Sequence, residues 1–219
     1  MPIFEADSIR YDIKGRQLLS DIYLKLETGK VTALIGRNGV GKSTLFKIIY
    51  GELNTEDRSV RVDGKYLGPK IYKVPNVLGF LPQKNFIPKH LKIKNLFSIY
   101  DLNMSDCFAD FPELAKCVNS TFGNLSGGEA RLFEIYFIVK SPFQFVILDE
   151  PFTLISPIYI ERLKALFAKE KANKGILLSD HMIHDVMEVC DDLYLLANGV
   201  LKKTTIEQVK NSYLTIQKS

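Results

Sequence analysis

The run Gly36-Arg37-Asn38-Gly39-Val40-Gly41-Lys42-Ser43-Thr44 spaces two glycines five apart and follows the second with lysine and a hydroxyl residue. Glycines so placed let the backbone curl until successive N–H groups point at phosphate oxygens. Lys42 then reaches the β and γ phosphates, and the Ser43 hydroxyl can ligate Mg²⁺. A chance match in a chain of ordinary composition is roughly one in a hundred. Residues 145–150, Phe-Val-Ile-Leu-Asp-Glu, form an apolar run ending in two carboxylates. Adjacent strand residues face opposite ways, so the two acids take different tasks. Asp149 suits a Mg²⁺ partner; Glu150 suits a base that orients or deprotonates an attacking water. Leu125-Ser126-Gly127-Gly128-Glu129 precedes a helical pattern. Ser126 and Glu129 have the spacing of a capping box. Capping leaves the glycine pair unexplained, since each costs about 1 kcal/mol relative to Ala inside a helix. A bare helix N-terminus with small residues is a second place for an anion.

Elements that position these groups alternate along the chain. Runs 31–35, 77–81, 145–148, 175–178 and 193–196 read as strands, several near-continuously apolar as in a sheet covered on both faces. Runs 42–50, 127–139, 157–171 and 181–190 read as helices between them. The phosphate-type loop therefore leaves a strand and opens a helix. Residues 9–13 and 21–27 alternate around Lys14-Gly15-Arg16 as an antiparallel pair, and Asn198-Gly199 marks a hairpin. From 86 to 123 the strand pattern stops, and short helices are expected over 91–100 and 113–118. The expected class is α/β with a mainly parallel central sheet, an N-terminal antiparallel β subdomain and a compact helical subdomain, about residues 86–140.

Composition sets limits. With 219 residues, 46% hydrophobic and 25% charged, the chain is globular, not disordered or coiled coil. A net charge of +4 permits contact with phosphates but does not argue for nucleic acid. No run reaches 18 uninterrupted apolar residues, so no membrane span is expected. The first residues lack a basic segment before a long apolar core and are not expected to be a secretory leader. Cys107, Cys117 and Cys190 form no CxxC pair, which points to three small buried hydrophobes in a reducing compartment.

Together the three motifs resemble the ATP-binding cassette (ABC) family, whose signature LSGGQ reads LSGGE here. The resemblance spans essentially the whole chain in the family's order. It implies a P-loop NTPase cassette, a single domain over 1–219, that binds ATP with Mg²⁺ and hydrolyses it. Gln83, in Gly79-Phe80-Leu81-Pro82-Gln83, is similar to the glutamine that touches Mg²⁺ and the attacking water. His181, in Ser179-Asp180-His181, is similar to the histidine that contacts the γ-phosphate, and Tyr11 sits where the family places an aromatic on adenine. Two copies would sandwich two ATP, with Ser126, Gly127 and Gly128 of one copy facing the P-loop of the other. The implied protein is a transporter ATPase serving integral membrane subunits, as a homodimer or paired cassette in the ATP state, peripheral on the cytoplasmic face of the cell membrane. The wording from Leu148 onward is similar to ATPases of lipopolysaccharide export and branched-chain amino-acid uptake. The alternative is a soluble cassette ATPase acting on ribosomes or DNA; no nucleic acid is expected for a transporter subunit.

Departures from the family pattern carry expectations of their own. Ser156 stands where the family has an Asp that couples the two sites, so Ser156→Asp should raise the ATPase rate or leave it unlowered. The distance from Gln83 to Ser126, 43 residues, is short for the family. Lys84, Lys89, Lys92 and Lys94 lie among Phe86, Ile87, Leu91 and Ile93. They read either as a solvated loop or as a docking groove for a membrane subunit, with Phe86 and Phe97 as aromatic anchors.

Overall fold

The computed structural model describes residues 1–209; residues 210–219, the end of the expected single domain, lie outside the described residues. The chain opens with β1 (Ile3–Ile13), β2 (Arg16–Glu27) and β3 (Val31–Ile35), followed by α1 (Lys42–Tyr50). β4 (Ser59–Val62), β5 (Lys65–Tyr66) and β6 (Leu78–Leu81) come next. Three helices follow: α2 (Ile93–Ile99), α3 (Met104–Asp110) and α4 (Gly127–Lys140). β7 (Phe145–Asp149), α5 (Pro157–Glu170), β8 (Gly175–Ser179), α6 (Ile183–Val189), β9 (Asp192–Ala197) and β10 (Val200–Thr204) follow, and short 3-10 turns lie at Ile71–Lys73, Pro112–Cys117 and Phe122–Asn124.

Two sheets result, one four-stranded in the order β2-β1-β4-β5 and one six-stranded in the order β10-β9-β3-β8-β7-β6. The first is antiparallel. In the second, β6 to β9 and β3 run parallel, and only β10 is antiparallel. Every residue of β3, β7 and β8 is buried, as continuous apolar runs require when both faces are covered. The period of two persists inside them. Val31, Ala33, Ile35, Val146 and Leu148 join the cluster that contains α4 and α5. Leu34, Phe145 and Ile147 join the cluster formed with α1 and the antiparallel sheet.

The turns carry their own chemistry. Lys14 and Gly15, with φ of 51° and 75°, and Asn198 and Gly199, with φ of 51° and 77°, give the two-residue hairpin geometry that suits strand twist. Between the neighbouring parallel strands β6 and β7 runs the helical stretch. Its centre is aromatic: Phe97 is 2% exposed, with Phe137 at 5.1 Å and Phe133 at 6.2 Å, and Tyr100 stacks on Phe137 at 4.8 Å.

Several expectations are corrected here. β4 and β5 went unread in the sequence because they are short and are fixed by pairing: β4 lies against β1, about 55 residues away, and β5 lies against β4. α3 likewise escaped; its start is capped by the Asn103 side chain accepting from the Ser105 N–H at 3.0 Å. The helix expected from 181 begins at Ile183 instead. Phe97 is core, not an exposed anchor, whereas Phe86 is exposed. Cys107 and Cys117 are buried, but Cys190 is only half-buried.

Candidate active site

The β3 strand delivers the chain to Gly36, where a side chain is excluded because a Cβ would lie 2.5 Å from the Leu196 carbonyl oxygen on β9. The loop then turns through Gly39 and Gly41, with φ of 76° and 111°. Gly41 caps α1, whose first turn has no acid, so its partial positive charge stays available to an anion. Lys42 folds over the loop and donates to the Gly36 carbonyl at 2.7 Å and the Arg37 carbonyl at 3.2 Å. Burial pushes the Lys42 amine below its usual range, against the pull of Glu150, Asp149 and Asp180.

β7 supplies the carboxylates. Asp149 is 2% exposed; burial pushes its carboxyl above the usual range, while a hydrogen bond with the Ser43 side chain opposes the shift. Glu150 follows directly at φ 52°, left-handed, and its N–H donates to the Ser179 carbonyl at 2.7 Å. That turn takes its carboxylate out of the strand's alternation and into the cleft. There Oε2 accepts from Gln83 Nε2 at 2.8 Å and from the Thr153 hydroxyl at 3.3 Å. Ser43 and Asp149 present hard oxygen ligands side by side, a set that suits Mg²⁺ completed by phosphate oxygens and water.

A cleft of about 870 Å³ gathers Asn38 to Thr44, Gln83 and Glu150 with Ile13, Arg16, Gln17, Leu18, Asn198 and Gly199. The volume is that of a ligand pocket. Tyr11 does not line it; Tyr11 faces a separate surface cavity with Arg10, Asp12, Asn54 and Asp57. The residue of β1 that reaches the cleft is Ile13, two positions on. His181 also lies outside the lining, with a side chain 55% exposed and Nδ1 at 3.4 Å from Asp180 Oδ1. Asp180 itself is buried and organises the turn, accepting from the Phe152 N–H at 2.8 Å and the Met182 N–H at 3.1 Å.

Ser126, Gly127 and Gly128 do not line the cleft. The capping box forms: Glu129 Oε2 accepts from the Ser126 N–H at 2.9 Å and hydroxyl at 2.8 Å. Lys116 sits 2.9 Å from Glu129 and, with the Ser126 bonds, holds that carboxyl down at about 2. The glycines face Leu154; a Cβ on Gly128 would lie 3.0 Å from the Leu154 carbonyl oxygen. Leu154 has φ 67° and is 76% exposed.

Sequence reasoning missed Ile13, Arg16, Gln17, Leu18 and the pair Arg131–Glu134. Arg131 and Glu134 are 3% and 0% exposed on α4, one turn apart. Their signal was available: two charges inside an otherwise apolar run are buried only as a pair.

The family profile described as ABC transporter matches residues 19–153. The lipopolysaccharide export system ATP-binding protein LptB of Haemophilus influenzae is 26% identical over 226 residues, covering 96% of this chain and 94% of that protein. A solved ATP-binding subunit of an ABC transporter superposes with a TM-score of 0.82 at 23% identity, covering 96% of this chain and 93% of the other. The ADP conformation of MJ1267, an ATP-binding cassette of an ABC transporter, superposes with a TM-score of 0.74 at 24% identity, over 96% and 94% of the two chains. At that identity the two structures report shared fold.

Proposed function

The chain belongs to the ABC transporter family as an ATP-binding, ATP-hydrolysing subunit, and from that premise we propose how its residues divide the work. The observation that carries the proposal is the convergence of residues Asn38 to Thr44, Gln83 and Glu150 on one cleft. Backbone N–H groups of the loop and the α1 N-terminus receive the phosphates, and Lys42 exchanges its two carbonyls for β and γ phosphate oxygens. Ser43 and Asp149 would hold Mg²⁺, which would supply neutralisation of the charge building on the phosphates. Glu150 orients a water for attack on the γ-phosphorus and takes up its proton, with Gln83 steadying the carboxylate. His181 approaches the γ-phosphate on closure.

The reading extends to assembly. Ser126 and Gly127 are exposed and stand apart from their own cleft, which supports their use on the nucleotide of a second cassette. The chain, read as one cassette domain with a helical part between β6 and β7, works as a homodimer or paired cassette. It serves integral membrane subunits from the cytoplasmic face of the cell membrane. No helix among the described residues is long and apolar enough to cross a membrane. Family membership and relatives that are transporter subunits favour this over a cassette acting on ribosomes or DNA.

The test is ATP turnover and nucleotide binding measured together. Glu150→Gln should keep binding and lose turnover by about 10²-fold or more. Turnover unchanged in that variant would remove Glu150 from the chemistry.

A further inference from the structure

Three backbone carbonyls from two distant segments meet on one guanidinium. Arg131 Nη1 donates to the Pro82 carbonyl at 2.7 Å, and Nη2 donates to the carbonyls of Asp149 at 2.5 Å and Glu150 at 3.2 Å. One helical turn on, Glu134 Oε1 accepts from the N–H groups of Phe86 at 2.8 Å and Ile87 at 3.3 Å. The loop that carries Gln83 is thus held on both flanks by α4. The Glu150 peptide is held at both ends as well, by Ser179 through its N–H and by Arg131 through its carbonyl.

We propose that Arg131 is a positioning residue for hydrolysis: its guanidinium sets the distance between the backbones bearing Gln83 and Glu150, and with Glu134 ties that distance to the helix opened by Ser126. The inference rests on the functional reading above. A buried Arg–carboxylate pair serving stability alone favours a bidentate fork. Here Nη1 goes to Pro82 and stays 3.5 Å from Glu134 Oε2, an oxygen with no hydrogen-bond partner among the described residues. A loosely made buried pair contributes little to stability. The left-handed φ of Glu150 costs about 1 kcal/mol or more and persists only where surroundings impose it. Arg131 is the group that imposes it from the carbonyl side. The planar fork matters, because it serves two segments at once; a lysine ammonium on its flexible stem is a point donor.

The experiment uses the full chain, with Arg131→Lys and Arg131→Met compared with wild type for kcat, KM for ATP, ATP affinity and Tm. Arg131→Lys keeps the buried charge and should fold, bind ATP within about threefold of wild type, and lose between about tenfold and a hundredfold in kcat at little-changed KM. Arg131→Met should lose at least as much if it folds. A lysine variant with wild-type kcat, or one that lowers Tm alone, would overturn the positioning role. So would failure of both variants to fold, which would make the guanidinium a determinant of the fold. Wild-type protein without ATP turnover would overturn the functional reading, whereas wild-type turnover retained in Arg131→Lys overturns only this inference.

Discussion

Gln83 Nε2 donates to Glu150 Oε2 at 2.8 Å across 67 residues of sequence, and that bond joins the loop after β6 to the end of β7. One oxygen of the proposed base is therefore held by an amide, and the other is left to meet a water. Gln83→Ala removes the tether and lets the carboxylate rotate. Turnover should fall on the order of tenfold while ATP affinity holds, since Gln83 acts through Glu150 and not through the phosphates. A large rise in KM with unchanged kcat would place Gln83 in nucleotide binding instead.

Ser156 precedes α5 at its N-cap, with φ −72° and ψ 153°, yet its side chain makes no capping bond. An aspartate there accepts from the first-turn N–H groups and meets the positive end of the helix, together about 0.5–1 kcal/mol. Ser156→Asp should raise Tm by about 1–3 °C and leave the ATPase rate equal or higher. A sharp drop in rate at raised Tm would show that the turn requires serine for function.

Phe86 and Phe97 separate by burial. Phe97→Ala opens a cavity among Phe108, Phe133 and Phe137 and should cost about 3–5 kcal/mol. Phe86 is 39% exposed, so Phe86→Ala should leave Tm nearly unchanged while weakening co-sedimentation with membranes that hold the partner subunits. Full recruitment of Phe86→Ala would remove this face from docking.

Glu129 gives a pH dependence of defined sign. Its carboxyl lies at about 2, against an ordinary 4.5, chiefly through Lys116 and then Ser126. A carboxyl lowered on folding stabilises above its unfolded value and loses that contribution as pH falls through its folded value. Urea midpoints should therefore show wild type ahead of Glu129→Gln at neutral pH, with the gap closing between about pH 4.5 and 2. A gap that stays constant with pH would mean that the hydrogen bonds, not the charge, hold the cap.

The parts of the site that are contiguous in the chain were legible before the structure. A glycine loop between an apolar strand and a helix, and two acids closing another strand, need only local reading. Assembly across elements was less legible. Tyr11 and Ile13 lie two positions apart on β1 with a register irregularity between Tyr11 and Asp12, so which of them reaches the cleft depends on pairing with β2. The roles of Arg131 and Glu134 could not be read locally, because their partners, Pro82, Phe86 and Asp149, lie 18 to 49 residues away. β4 is a strand through its pairing with β1, and β5 through its pairing with β4. The aromatic core hid Phe97 for a similar reason: burial of one face of α2 is decided by α4, not by α2's own sequence.

Completion of the site between two cassettes is read from the mass of Glu150→Gln in solution with saturating ATP and Mg²⁺. A variant that binds ATP without turning it over should accumulate at twice the monomer mass and return to monomer when ATP is replaced by ADP. Monomer at saturating ATP, with nucleotide demonstrably bound, would contradict pairing of this chain with itself.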